Sequence, residues 1–194
     1  MKTTVFKLVA MLGLSALTQA AWAASATAIF AGGCFWCTES DFEKLPGVLA
    51  AESGYTAGKA PNPTYEAVSA GGTGHTEAVR VTYDPARVSY AQLVQHFWKT
   101  IDPGEKDRQF CDGGSQYRSG VYWGNEQERL TAIASRDALQ KTGRFKTIYT
   151  ELAPASTFYV AEEYHQDYYK KNSLRYNYYR LSCGRDAQLQ RIWK

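Results

Sequence analysis

Two glycines followed at once by Cys-Phe-Trp-Cys, at Gly32-Gly33-Cys34-Phe35-Trp36-Cys37, constrain this chain more than any other feature. Ahead of them Thr27 to Ala31 is a short apolar run of strand length. Behind them Cys34 to Lys44 reads as a helix stopped by Pro46-Gly47. The glycines let the strand turn sharply into the helix, which puts Cys34 at or near a helix N-terminus. There the dipole and the free N–H groups favour thiolate over thiol. The thiolate is the nucleophilic form, and a second cysteine three residues on points to redox chemistry over a structural disulfide or a buried thiol. Phe35 and Trp36 are core residues by default. Flanking a nucleophile on a turn, they are also placed to wall an apolar pocket for a small group such as a methyl.

Periodicity organises the rest. Val48 to Tyr55 and His75 to Tyr83 read as strands, with a short helix at Tyr65 to Ala70 between them. Ser89 to Thr100 is the clearest helix, with Tyr90, Leu93, Val94 and Phe97 on one face and Ser89 as N-cap. A long loop, Ile101 to Ser115, is of the kind that often carries function. Gly120 to Trp123 is a predicted strand. Asn125 caps a helix to about Lys141 with Leu130, Ile133 and Ala134 inward, and Thr147 to Leu152 is a further strand. The tail is aromatic and irregular, with helical turns near 162–170 and 186–192. No fixed-period repeat is present. The pattern predicts an α+β or mixed α/β two-layer domain.

The first residues read as a signal peptide. Lys2 and Lys7 precede an apolar run from Leu8 to Leu17, and Ala21-Trp22-Ala23 fits a small-x-small cleavage site. The run is about ten residues, short of the ~20 that span a bilayer. This predicts a leader at 1–23, one domain at 24–194, and a periplasmic or secreted protein not held in a membrane. Cleavage removes Lys2 and Lys7 and no acid, so the formal charge falls from +3 to +1. That argues against nucleic-acid binding. Arg175, Arg180 and Arg185, scattered among tyrosines, read as a solvated face. Tyrosine occurs 14 times, which suits either a rich core or a pocket with apolar walls and hydroxyl tips.

In an oxidising compartment Cys34, Cys37, Cys111 and Cys183 allow three pairings, and sequence does not choose among them. They do not form two C-x-x-C pairs, so a structural zinc site is not expected. The three histidines lack metal-ligand spacing; His96 reads as ordinary and His165 as a structural hydrogen-bonding residue. Glu77 is a surface charge by default, but in a dry pocket its pKa rises and it can hold a proton near neutral pH. The segment from Asp112 to Ser119 is dense in polar groups beyond the needs of a turn, and Gln116, Tyr117 and Arg118 stand where they could line a site.

Together these motifs resemble the A-type peptide-methionine (S)-S-oxide reductases over most of the chain, from about Ala28 to Leu189. The carriers are Gly33-Cys34-Phe35-Trp36, Ser53-Gly54-Tyr55 with Pro61-Asn62-Pro63-Thr64-Tyr65, and Gly74-His75-Thr76-Glu77. Phe97-Trp98 with Asp102-Pro103, Gln116-Tyr117-Arg118-Ser119, and the run from Ala161 to Gln166 complete the set. The resemblance implies a two-layer α/β sandwich with a ferredoxin-like core and a long irregular C-terminal segment. It implies reduction of the S epimer of methionine sulfoxide, protein-bound or free, by a monomer with no metal and no bound cofactor. The export signal, rather than the resemblance, suggests a thioredoxin-like dithiol outside the cytoplasm as the external reductant. It also implies roles: Cys34 attacks the sulfoxide sulfur, Glu77 donates a proton to its oxygen, and Tyr65 and Tyr117 hydrogen-bond that oxygen. Phe35 and Trp36 receive the methyl, and Asp112 helps order the site.

One position departs from the pattern, because many members have Gly where this chain has Cys37. Cys37 is therefore the candidate to resolve a Cys34 sulfenic acid, and Cys183 is its rival. If Cys34 pairs with Cys37, then Cys111 and Cys183 are left to form a structural bridge or a relay. Two other readings compete: a thioredoxin-like disulfide oxidoreductase, which needs neither Glu77 nor the two tyrosines, and a non-catalytic binding domain with two structural bridges.

Overall fold

The computed structural model describes residues 25–194, so the leader read at 1–23 lies outside the described residues. The element order is β1 (Ala26–Gly32), α1 (Phe35–Glu43), β2 (Val48–Thr56), α2 (Tyr65–Ser69), β3 (Thr76–Tyr83) and α3 (Tyr90–Trp98). A small hairpin follows, β4 (Arg108–Gln109) and β5 (Asp112–Gly113). Then come β6 (Ser119–Trp123), α4 (Glu126–Lys141), β7 (Glu151–Pro154), β8 (Tyr159–Val160), α5 (Tyr168–Lys171), α6 (Ser173–Ser182) and α7 (Arg185–Trp193).

Six strands form one sheet in the order β7-β6-β1-β3-β2-β8. Its centre is the ferredoxin-like split βαβ: β1-α1-β2 and β3-α3-β6, with β3 inserted between β1 and β2. Period-two alternation assigns the faces. Ala28, Phe30, Val79, Val81 and Val121 point to the layer filled by α1 and α3, where Phe30 stacks on Phe42 at 4.7 Å. The opposite face carries a thinner cluster of Ala31, Ala78 and Tyr122. Helix α3 has the expected cap, with Ser89 and Gln92 bonded reciprocally in a capping box, and it buries Leu93, Val94, Phe97 and Trp98. Among the described residues no helix is long and apolar enough to cross a membrane.

Several expectations need correction. Helix α4 does not bury Leu130, which is 49% exposed. It buries Ala132 instead, and Ser135 receives the Trp98 indole N–H at 2.9 Å. A small residue and a polar anchor, not an apolar stripe, decide how this helix sits. The strand expected at Thr147 to Leu152 begins at Glu151, because Tyr149 donates its backbone N–H to the Pro103 carbonyl and turns away from the sheet. It pairs in parallel with β6 at the sheet edge, where Pro154 is tolerated. Strand β8 and helix α6 were not legible in the sequence. Six of the ten α6 residues are Tyr, Asn or Ser, which favour helix weakly; what holds it is tertiary, with Tyr176 buried against the two free cysteines.

Candidate active site

Gly33 turns the chain from β1 into α1 with φ of +81°, a conformation that favours glycine, and a Cβ there would meet the Gln109 side chain at 2.6 Å. Cys34 is therefore the N-cap of α1, 6% exposed, as the sequence predicts. Its electrostatics differ from the expectation. The first amide of the helix, Phe35 N–H, donates to Glu77 Oε2 at 2.9 Å and so does not serve the sulfur. Burial, then Cys37 and Glu77, push the Cys34 thiol well above its ordinary range. Its neighbour moves the other way. A hydrogen bond from Cys34, with the charges of Arg185 and Arg180, brings Cys37 down to about 7. The two thiols are thus shifted in opposite directions, Cys34 up and Cys37 down.

Glu77 owes its place to strand alternation. It lies on the same face of β3 as Val79 and Val81, opposite Tyr55 of β2, and is 2% exposed. Burial pushes its carboxyl up to about 8, and the nearby charges of Asp112 and Cys37 act in the same direction against the Phe35 N–H. Glu77 thus holds its proton at neutral pH.

A cavity of about 60 Å³ opens between these groups. Cys34 and Glu77 lie at its base, Phe35 and Trp36 form the apolar wall, and Tyr65, Tyr117, Asp112 and Tyr179 form the polar one. Room of this size suits a small terminal group rather than a whole residue. Tyr65 starts α2, its N–H given to Glu162 at 2.8 Å, and its hydroxyl is raised by burial to about 12. Tyr117 ends a 3-10 turn at Ser115–Tyr117, and burial pushes its hydroxyl up as well. Both tyrosines are therefore neutral hydrogen-bond donors. Trp36 is fixed on two sides, stacked on Tyr168 at 3.8 Å and donating its indole N–H to His165 Nδ1 at 3.0 Å. His165 thus has the structural role read from sequence.

The sequence reading missed the contribution of the tail. Tyr179 donates to Asp112 Oδ2 at 2.5 Å and closes the cavity. Arg185, read as a solvated charge, is 1% exposed. It donates to the carbonyls of Gly32 and Thr100 at 3.1 and 2.8 Å and lies over the Phe110 ring. Arg180 is half-buried and pairs with Asp41 at 2.9 Å. A wealth of tyrosines in the tail was the one available signal; nothing local marked the arginines. Cys111 and Cys183, 72 positions apart, form a disulfide with Cα atoms 5.1 Å apart, while Cys34 and Cys37 are free. The bridge ties the end of α6 to the residue before Asp112.

A buried thiol pair beside a protonated carboxyl, with two tyrosine hydroxyls facing a cavity for one small polar group, belongs to a thiol-based reductase. Residues 26–194 match the family model for peptide methionine sulfoxide reductase. The chain belongs to that family and is a thiol-dependent methionine sulfoxide reductase. It is 49% identical to the MsrA 2 of Caulobacter vibrioides over 184 residues, 95% of this chain and 93% of that protein. Methionine sulfoxide reductase A of Corynebacterium diphtheriae has a similar structure, with a TM-score of 0.71, 36% identity and coverage of 77% and 76%. Reduced Mxr1 of Saccharomyces cerevisiae gives a TM-score of 0.72 and 30% identity, covering 77% of this chain and 86% of that one. The same yeast protein is known in complex with Trx2, where the likeness is 22% in identity and 0.54 in TM-score, over 78% and 90%.

Proposed function

We propose that the chain reduces the S epimer of methionine sulfoxide, free or in oxidised proteins, with Cys34 as nucleophile and Glu77 as proton donor. One observation carries this reading: a carboxyl that keeps its proton at neutral pH lines the same small cavity as Cys34. Phe35 and Trp36 take the substrate methyl, Tyr65 and Tyr117 hold the sulfoxide oxygen, and Asp112 orders the polar wall through Tyr179. The Cys37 thiolate takes the Cys34 proton as Glu77 protonates the oxygen. Cys34 sulfur attacks, the substrate S–O bond breaks, and methionine leaves with the oxygen retained as a Cys34 sulfenic acid. Cys37 thiol then displaces that hydroxyl as water and forms the Cys34–Cys37 disulfide. Two electrons have passed from the thiol pair to the sulfoxide, and the two protons of the water come from Cys34 and Glu77.

The disulfide is returned to thiols by an external dithiol, a thioredoxin-like protein, with Cys111 and Cys183 as relay. We place the enzyme in the periplasm or outside the cell, as a monomer with no bound cofactor, on the strength of the leader motif and the family pattern. The test is incubation of the protein and its Cys34→Ser variant with dithiothreitol and separated S and R epimers. Loss of the S epimer alone, abolished by Cys34→Ser, is expected. Turnover of insulin disulfides with neither epimer consumed would overturn the reading in favour of a thioredoxin-like oxidoreductase. Mass mapping after one equivalent of sulfoxide should find Cys34 linked to Cys37; a Cys34–Cys183 link would assign resolution to Cys183.

A further inference from the structure

The bridge between Cys111 and Cys183 has a neighbour with one oxygen that the reductase chemistry leaves unused. Asp112 turns one carboxylate oxygen, Oδ2, to the Tyr179 hydroxyl, and its other oxygen, Oδ1, stands 3.7 Å from Cys111 Sγ. The donor atoms of Cys111, Asp112 and Cys183 all lie within 4.8 Å of one another. Zinc binds thiolate sulfur at about 2.3 Å and carboxylate oxygen at about 2.0 Å, so at a tetrahedral angle such ligands stand roughly 3.5 Å apart. The sulfur-to-oxygen separation already matches this. Tyr179 does for the carboxylate what an outer-shell hydrogen bond does at a metal site: it fixes which oxygen points to the metal. The location is reachable, because Cys111 is exposed and Cys183 half-buried.

We propose that reduction of the Cys111–Cys183 bridge creates a site for a thiophilic divalent cation, zinc above all, held by the two sulfurs and Asp112 Oδ1. Nothing in the spacing marks it, since the two cysteines are 72 positions apart and follow no zinc pattern. An external dithiol supplies two electrons and two protons, the S–S bond breaks into two thiols, and the dithiol leaves as its disulfide. Metal binding then releases the two thiol protons to solvent. Three protein ligands leave a fourth position for water. The site exists only in the reduced chain, and its occupation ties up the dithiol that would otherwise serve as relay. The site does not rest on Cys34 being the nucleophile, so binding and turnover fail separately.

The test is a titration of the intact chain with Co²⁺, which reports thiolate ligation by its charge-transfer absorbance, with Zn²⁺ as competitor. The chain is reduced over an immobilised phosphine so that no free thiol competes. One equivalent of Co²⁺, displaced by Zn²⁺, is expected for the reduced chain and none for the oxidised one. Cys183→Ser should lose the signal, with circular dichroism checking its fold. The Cys34→Ser/Cys37→Ser double variant should keep it, and Asp112→Asn should weaken binding at least tenfold. No stoichiometric signal in the reduced chain overturns the proposal. So does a signal that survives Cys183→Ser, one that disappears with Cys34 and Cys37, or unchanged affinity in Asp112→Asn.

Discussion

The cavity has two walls of different origin. The base and apolar wall, with Cys34, Phe35, Trp36 and Glu77, come from β1, the first turn of α1 and β3 at the centre of the sheet. Strand register puts Glu77 beneath Phe35, and the Gly33 turn sets Cys34 above it. The polar wall includes Asp112 from a two-residue strand in a long loop and Tyr179 from the C-terminal segment. Nothing in the sheet holds these last two. A disulfide, one short hydrogen bond and the buried Arg185 hold them instead. Cys34 and Glu77, the proposed nucleophile and proton donor, are thus fixed by backbone ladders, while the polar wall is held by side-chain ties. A reducible tie is among them, so the state of the tail can follow the redox cycle while the chemical centre stays rigid.

Breaking each wall in turn sharpens this contrast. The largest effect should come from the sheet side. Glu77→Gln removes the proposed proton donor and should lower kcat by about 10²–10⁴-fold, the usual range for a lost general acid. In the unsubstituted enzyme kcat/KM should fall as pH rises through about 8, as Glu77 loses its proton. The same shift sets a stability test. A carboxyl whose folded pKa lies above its unfolded one costs stability as pH rises from about 4.5 to about 8. Glu77→Gln should therefore gain in Tm relative to the parent at pH 8 over pH 5. An equal difference at both pH values would mean that Glu77 is already ionised.

Next is the reducible tie. Cys183→Ser opens a loop of 72 residues and should cost about 4 kcal/mol in the chain-entropy account, read by urea unfolding. It should still reduce sulfoxide with dithiothreitol, because Cys34 and Cys37 remain. Loss of that activity would place the tail in the chemical step itself. Arg185→Met leaves the Gly32 and Thr100 carbonyls without their partner and removes a cation near Asp41, for about 3 kcal/mol. Tyr179→Phe removes a hydrogen bond to a carboxylate and should cost about 2 kcal/mol, with KM rising more than kcat falls. The smallest effect belongs to Ser89→Ala, remote from both walls. Losing the α3 cap should cost about 1 kcal/mol, a Tm shift of about 2–4 °C, with activity unchanged.

Regions of strong local signal were legible in the sequence. The Gly-Gly turn, the N-cap position of Cys34, the α3 face and the alternation that carries Glu77 all matched the structure, because each follows from a period or a turn residue a few positions wide. Placement of Tyr65, Tyr117 and Asp112 around the cavity came from resemblance rather than from spacing, and the structure brings all three to it. What failed did so for lack of local pattern. Helix α4 turned on Ala132 and Ser135, and β7 moved under the pull of one backbone hydrogen bond.

By itself the sequence determined the order of strands and helices in a two-layer domain and the seat of Cys34, since glycine φ and strand period act over one or two turns of chain; the ferredoxin-like core came from resemblance. Only the tertiary structure decided which cysteines pair, that Arg180 and Arg185 lower the Cys37 thiol, and that Tyr179 lines the cavity. Those outcomes depend on burial and on charges brought together across more than 60 positions of chain, as with Tyr179 and Asp112 at a separation of 67. Desolvation and Coulomb interaction act through space, and a sequence records order along the chain rather than distance.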